Sequence, residues 1–248
     1  MKKNKSDLNL WKNVWRTKGK EASEKAELKD LMNIDGWFHT AAGDLSINTW
    51  LSFIKEIQER LKIKETKILL EVGCGAGASL FPMYNSNIKV FGIDYSCSLI
   101  KLCTKIMPFG IFTVSEAETL PFKDYFFDAI ICNSVFQYFE SINYAENVVN
   151  EMARVLKSTG NIAILDINDS SKKYEFESIR KLKLGNKEYD RLYDNLPHQF
   201  YKKEWFKTIA NRLNVKCDIE DQNIIGYKNS KFRFNVFLSK EGMGSNLD

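Results

Sequence analysis

The chain has 248 residues, 44% hydrophobic and 27% charged, which suits one ordinary globular domain with a sizeable core and an appendage. Its formal charge of +4 is mild and excludes the strongly basic footprint expected of a dedicated nucleic-acid binder. No apolar run approaches the roughly 18 residues that a membrane span requires.

Met1-Lys-Lys-Asn-Lys5 resembles the basic start of a signal peptide, but Ser6 to Lys12 supply no apolar core, so the chain reads as unexported. Leu8, Trp11, Val14 and Trp15 have helical spacing, and a second helix is expected from about Glu21 to Met32. This pair suits either an outer layer or a lid. Residues 36–43 read as a loop, after which Asp44 or Ser46 is placed to cap a helix. The apolar face of that helix is Trp50, Phe53, Ile54, Ile57 and Leu61.

From Lys67 the chain alternates strand and helix. Ile68 to Val72 is an apolar strand, broken by glycines at 73, 75 and 77 before a helix start at Ala78-Ser-Leu-Phe81. Such a turn brings backbone N–H groups close to a ligand, and Gly73, Gly75 and Ala78 also satisfy the dinucleotide fingerprint. Further strands are expected at 89–93, 110–114, 128–133 and 161–166. Helices are expected over 96–106 and 144–156, with Lys157-Ser-Thr-Gly160 as a turn. The alternation predicts a parallel sheet covered on both faces.

After Asp166 the pattern changes. Residues 170–203 are polar, aromatic-rich and weakly periodic, the profile of a lid-like insertion. A helix follows at 203–213. Segments 215–219 and 232–238 read as strands with no helix between them, hence an antiparallel pair at the sheet edge. The expected organisation is an N-terminal helical cap over 1–62 and a core over 63–248. The five cysteines, 74, 97, 103, 132 and 217, are odd in number and lack C-x-x-C spacing, so metal and disulfide readings fail. Reduced thiols in a cytoplasmic protein fit better.

Open parallel sheets bind ligands beyond the carboxyl ends of their strands. Those positions hold Glu71 and the glycines, Asp94, Ser115-Glu116-Ala117, Asn133-Ser134 and Asp166. Asp94 lies roughly 20 residues past the glycines, the distance at which an acid accepts ribose hydroxyls.

Glu71-x-Gly-x-Gly-x-Gly77 with Asp94, Ser115-Glu-Ala-Glu-Thr-Leu-Pro-Phe122, Phe127 to Asn133 and Arg154 to Gly160 together resemble the class I S-adenosylmethionine-dependent methyltransferases. The resemblance covers roughly residues 67–166. It implies a Rossmann-like α/β fold: a seven-stranded sheet, mostly parallel with an antiparallel last strand, and helices on both faces. It implies S-adenosylmethionine as cofactor, with S-adenosylhomocysteine as product. Gly73, Cys74, Gly75 and Gly77 would approach the methionine and ribose, with Glu71 near the amino group. Asp94 would hold the ribose, and Tyr95, Glu116 and Ala117 the adenine. Asn133 and Gln137 would fall where cofactor and acceptor meet. Ser158-Thr-Gly160 departs from the more usual Pro-Gly-Gly. A nicotinamide dehydrogenase would give Glu71 and Glu116 no role. Nucleic-acid amine methyltransferases typically carry Asn/Asp-Pro-Pro-aromatic where this chain has Asn133-Ser-Val-Phe136.

Methyl transfer to a hydroxyl needs a base, whereas an amine merely has to arrive neutral. The two histidines are His39, in the early loop, and His198, in the aromatic insertion. His198 is the preferred base, with Asp166 its competitor and His39 third. Residues 172–207 hold ten Lys/Arg against six Asp/Glu, which reads as a solvated face or as a wall that attracts an anionic acceptor. The favoured acceptor is a small molecule, a sugar or nucleotide-linked sugar of surface-carbohydrate pathways. The alternatives are a small amine, nucleic acid, or a non-catalytic cofactor-binding subunit. The sequence is silent on oligomeric state.

Overall fold

The computed structural model describes residues 10–18, 25–37, 45–64, 67–84, 86, 88–193 and 196–240. Two short helices, α1 (Leu10–Thr17) and α2 (Leu28–Ile34), precede α3 (Ile47–Arg60). Helix α2 starts at Leu28, behind Glu27, whose side chain and that of Asp30 close a capping box, and residues 21–24 of the expected helix lie outside the described residues. Ser46 caps α3 by accepting from the Thr49 N–H at 3.0 Å, whereas Asp44 lies outside the described residues.

The chain then runs β1 (Ile68–Val72), α4 (Leu80–Tyr84), β2 (Lys89–Asp94), α5 (Cys97–Ile106), β3 (Ile111–Val114), β4 (Phe127–Asn133), α6 (Ile142–Val155) and β5 (Leu156–Asn168). It finishes with α7 (Lys173–Leu184), α8 (Asn186–Tyr193), α9 (Lys203–Leu213), β6 (Lys216–Asp221) and β7 (Arg233–Ser239). The seven strands form one sheet in the order β3-β2-β1-β4-β5-β7-β6. The first five pair in parallel, and β7 runs antiparallel to both β5 and β6. The sheet is therefore the mostly parallel Rossmann-like one expected, with its reversed strand inserted between β5 and an outer β6.

Successive side chains of a strand point to opposite faces, so the continuous apolar run of β1 feeds two cores. Leu69 packs in a cluster with Trp50, Phe53 and Ile57 of α3, Leu31 and Met32 of α2, and Leu99 of α5. Leu70 and Val72 pack in the other, with Val148, Val149 and Met152 of α6 and Phe206 and Ile209 of α9. Trp50 also donates its indole N–H to the Ala78 carbonyl at 3.0 Å, fixing α3 to the turn after the glycines.

Two expectations need correction. Residues 157–160 are not a free turn: β5 begins at Leu156, opposite Phe127, and its pairing shifts register before Asn161 meets Ala129. Lys157 reaches Asp128 at 3.0 Å and Lys240 N–H donates to the Gly160 carbonyl at 3.2 Å, which holds the extended course. The segment after Asp166 is also more regular than its weak periodicity implied, since α7 and α8 occupy much of it.

Candidate active site

Strand order reverses between β1 and β4, and the cavity lies at the carboxyl ends of the strands on either side of that switch. It has a volume of about 640 Å³. The glycine loop forms part of its floor. Gly75 has a φ of 54°, and a Cβ there would collide with the carboxylate of Asp35. Gly77, at φ 86°, would drive a Cβ to 2.6 Å from the Met107 methyl. Both positions therefore require glycine, for conformation and for space. Gly77 faces this packing and does not line the cavity, whereas Gly73, Cys74 and Gly75 do.

Asp94 lines the cavity at the end of β2 and binds the loop at the same time. Its Oδ2 accepts from the Gly75 N–H at 3.1 Å and its Oδ1 from the Ser96 N–H at 2.8 Å. Asp35, at the C-terminal end of α2, grips the loop from the other side, accepting from the N–H groups of Ala76 at 2.7 Å and Ala78 at 3.2 Å. Desolvation pushes the Asp35 carboxyl up to about 7 and that of Asp94 to about 6, against the backbone hydrogen bonds that pull both down. Burial raises Glu71 well above the usual carboxylate range, and the charges of Asp35 and Asp94 add to it. Three carboxyls thus crowd one glycine loop. Asp35 carries no motif, and its place in a helix C-cap is a position that strand-end reading does not inspect.

Glu71 and Asn133 both line the cavity, and Glu71 Oε2 and Asn133 Oδ1 are buried acceptors with no hydrogen-bond partner among the described residues. Buried orphan acceptors beside raised carboxyls fit a cationic, hydrogen-bond-donating ligand. Glu116 lines the cavity with Ala117 and Tyr95, and it accepts from Lys12 Nζ at 2.7 Å and from the Tyr144 hydroxyl at 3.2 Å. These residues suit the amino-acid and adenosine ends of S-adenosylmethionine.

Helix α1 crosses the same cavity. Trp11, Lys12 and Trp15 line it, and the Trp11 indole donates to the Pro197 carbonyl at 3.2 Å. Ser96 and Ser98 hydroxyls donate to the Trp15 and Arg16 carbonyls at 3.2 and 3.1 Å, tying α1 to the start of α5.

The candidate bases separate. His198 lines the cavity, its ring 4.9 Å from that of Trp11 and 5.7 Å from that of Tyr138. Burial, and then the charges of Arg180 and Arg233, hold its pKa well below the usual 6.5, so the imidazole is neutral. Asp166 is not among the cavity-lining residues. Its φ of 58° turns it into a buried network, where its carboxylate accepts from Ser134 Oγ at 2.8 Å, the Tyr227 hydroxyl at 3.2 Å and Gln222 Nε2 at 3.2 Å. Arg233 Nε stands 3.5 Å away. Gln137 is likewise buried behind the wall, donating to Ser134. His39 lies outside the described residues. Among the described residues no group of three or more His, Cys, Asp or Glu could hold a metal ion.

A Rossmann-like sheet with a reversed strand, a glycine loop and acids on successive strand ends defines a nucleoside-binding transferase fold of the methyltransferase type. A methyltransferase domain family matches residues 70–164. An uncharacterized protein of Methanocaldococcus jannaschii is 33% identical over 172 residues, 68% of each chain. A demethylmenaquinone methyltransferase of Thermotoga maritima is 32% identical over 108 residues, 43% of this chain and 46% of that enzyme, so the chain spans less than half the length of that curated relative. Among solved structures, the PH0226 protein of Pyrococcus horikoshii matches with a TM-score of 0.59 at 18% identity, over 81% of this chain and 95% of that one, which shows the shared fold. The chain belongs to the class I S-adenosylmethionine-dependent methyltransferases, and S-adenosylmethionine is its cofactor.

Proposed function

We propose that the protein transfers a methyl group from S-adenosylmethionine to a hydroxyl of a small molecule, a sugar or nucleotide-linked sugar in surface-carbohydrate biosynthesis. In this reading Glu71, Asn133 and the loop at Gly73, Cys74 and Gly75 hold the methionine end. Asp94 takes the ribose, and Tyr95, Glu116 and Ala117 the adenine. Gly77 keeps the loop's shape, and Gln137 holds Ser134. The bound cofactor supplies an electrophilic methyl on its sulfonium. The chain's own part is to align the acceptor, exclude water and take the acceptor's proton.

The observation that carries the hydroxyl reading is His198, a neutral imidazole on the cavity wall beside Trp11, Tyr138 and Phe200. A neutral imidazole can accept a proton without first losing one, although the burial and the Arg180 and Arg233 charges that keep it neutral also weaken it as a base; the aromatic rings supply flat apolar surface suited to a sugar or a base. Five free cysteines, three of them buried, support a cytoplasmic setting.

The test is single-turnover methyl transfer from labelled cofactor to a panel of sugars, nucleotide-linked sugars, amines and short RNA. His198→Ala is expected to slow transfer to a hydroxyl by about 100-fold or more, with S-adenosylhomocysteine affinity little changed. Transfer within a few-fold of the parent would remove His198 as base and favour an amine. No product with any acceptor would favour a non-catalytic subunit.

A further inference from the structure

Ser134 stands where the two halves of the cavity meet. It follows β4, lines the cavity and is half-buried. On one side of it, Asn133 donates to Ser79 Oγ at 3.3 Å, just beyond the glycine loop. On the other, Val135 packs so closely on Gly73 that a Cβ there would lie 2.6 Å from its methyl. Gln137 then reaches the opposite wall, its carbonyl accepting from the Gln199 N–H at 2.8 Å. Gln199 and His198 line the cavity from that wall. Ser134 is thereby fixed between the residues that suit the cofactor and those that face the acceptor.

The hydroxyl of Ser134 can act in one sense only. Its Oγ donates to Asp166 Oδ2 at 2.8 Å and accepts from Gln137 Nε2 at 2.7 Å. The same Nε2 donates to the Ser134 carbonyl at 2.9 Å. That carbonyl can only accept, so Gln137 turns its nitrogen and not its oxygen towards Ser134. The Asp166 carboxylate also receives the Tyr227 hydroxyl and Gln222 Nε2, with Arg233 Nε 3.5 Å away, so it acts as an acceptor throughout. A hydroxyl has one proton and two lone pairs. With the proton and one pair committed, Ser134 offers the cavity a single lone pair. Ser134 and Asp166 both adopt left-handed backbone, each with a φ of 58°. Residues with side chains keep that conformation where their surroundings enforce it, so the pair is held by its backbone as well as by its partners.

We propose that Ser134 is a specificity-determining residue, whose lone pair takes a hydrogen bond from the O–H or N–H group that receives the methyl. The bond would turn that group's own lone pair towards the methyl before transfer, and in the hydroxyl reading the proton then leaves to His198. A carboxylate, carbonyl or phosphate oxygen brings no donor to this position, and it would meet a lone pair backed by the Asp166 charge. The substrate class is therefore alcohols and amines, and acids that would form methyl esters are turned away. The proposal rests on the methyltransferase reading of the cavity.

The test is calorimetric titration of the full chain with S-adenosylhomocysteine and with sinefungin, a cofactor analogue that carries an amine in place of the transferred methyl. That amine brings an N–H donor to the transfer point, so it probes Ser134 directly. Ser134→Gly suits a φ of 58° and removes only the side chain. It is expected to weaken sinefungin by at least about tenfold, the effect of one hydrogen bond to a charged group, and to leave S-adenosylhomocysteine unchanged. A merely structural role would weaken both ligands alike. If Ser134→Gly does not fold, Ser134→Ala, which keeps the Cβ, is titrated with the same expectation. Equal losses for the two ligands, or no loss for sinefungin, sink the Ser134 assignment alone. A parent that binds neither ligand overturns the proposed function and the assignment with it.

Discussion

At the scale of single residues, the glycine loop is governed by three carboxyls. Asp35 titrates at about 7 instead of the usual 3.8, and Asp94 at about 6, chiefly because both are withdrawn from water. A raised folded-state pKa means that the native protein keeps protons which the unfolded chain has released. Stability from these groups is therefore fully present below about pH 4 and is lost as pH climbs through about 6 to 7. Binding of a ligand with a cationic ammonium reverses the preference and favours the ionised acids. S-adenosylhomocysteine is expected to bind more tightly as pH rises from about 6 to 8, with protons released. Calorimetry in two buffers of different ionisation heat measures this release. Asp35→Asn should reduce it, and Asp94→Ala should abolish measurable binding. Pure heat of binding, identical in both buffers, would refute the linkage. Glu71, Asp94 and Glu116 were legible because strand ends are where such folds bind. Asp35 was not, since its partners lie 41 and 43 residues away and no local pattern marks it.

At the scale of elements, α1 decides how enclosed the cavity is. Its helical spacing was readable from Trp11, Val14 and Trp15, but spacing alone left an outer layer and a lid equally open. The contacts of Trp11 with Pro197 and His198, and of Lys12 with Glu116, join the N-terminus to both the insertion and the third strand end. The Lys12–Glu116 pair is partly exposed, so Lys12→Ala alone should change affinity little. The two indoles line the cavity with larger apolar surfaces. Trp11→Ala/Trp15→Ala is expected to speed dissociation of S-adenosylhomocysteine by about tenfold or more, equivalent to about 1.4 kcal/mol. Stopped-flow fluorescence measures this, and an unchanged off-rate would show that α1 does not retain the ligand. Helices α7 and α8 were harder to read. Most of the side chains described on them are exposed, with Phe176 the buried residue of α7 and Tyr189 of α8, so little apolar periodicity marks them.

At the scale of the whole molecule, the reversed end of the sheet is joined to the cavity wall by a buried polar network. Asp166 ends no open crevice. It links Ser134 after β4, Gln222 and Tyr227 after β6, and Arg233 at the start of β7. Removing one partner strands a buried charge, so Arg233→Ala is expected to cost about 3–5 kcal/mol in urea unfolding. A loss below about 1 kcal/mol would show that the pair is dispensable. The sequence by itself determined the order of elements and the parallel sheet with its reversed strand. It did so because apolar periodicity and glycine placement are local, and strand–helix alternation admits few topologies. It also located which residues stand at strand ends. Only the tertiary structure decided where those side chains go. A strand-end position sets the Cα, but a left-handed backbone at Asp166 and the register shift between Ile164 and Ile167 turn its carboxylate towards Arg233 and out of the cavity. Convergence of Asp35, Trp11 and His198 on one glycine loop and its cavity is likewise a product of packing between segments far apart in the chain, and local sequence carries no record of it.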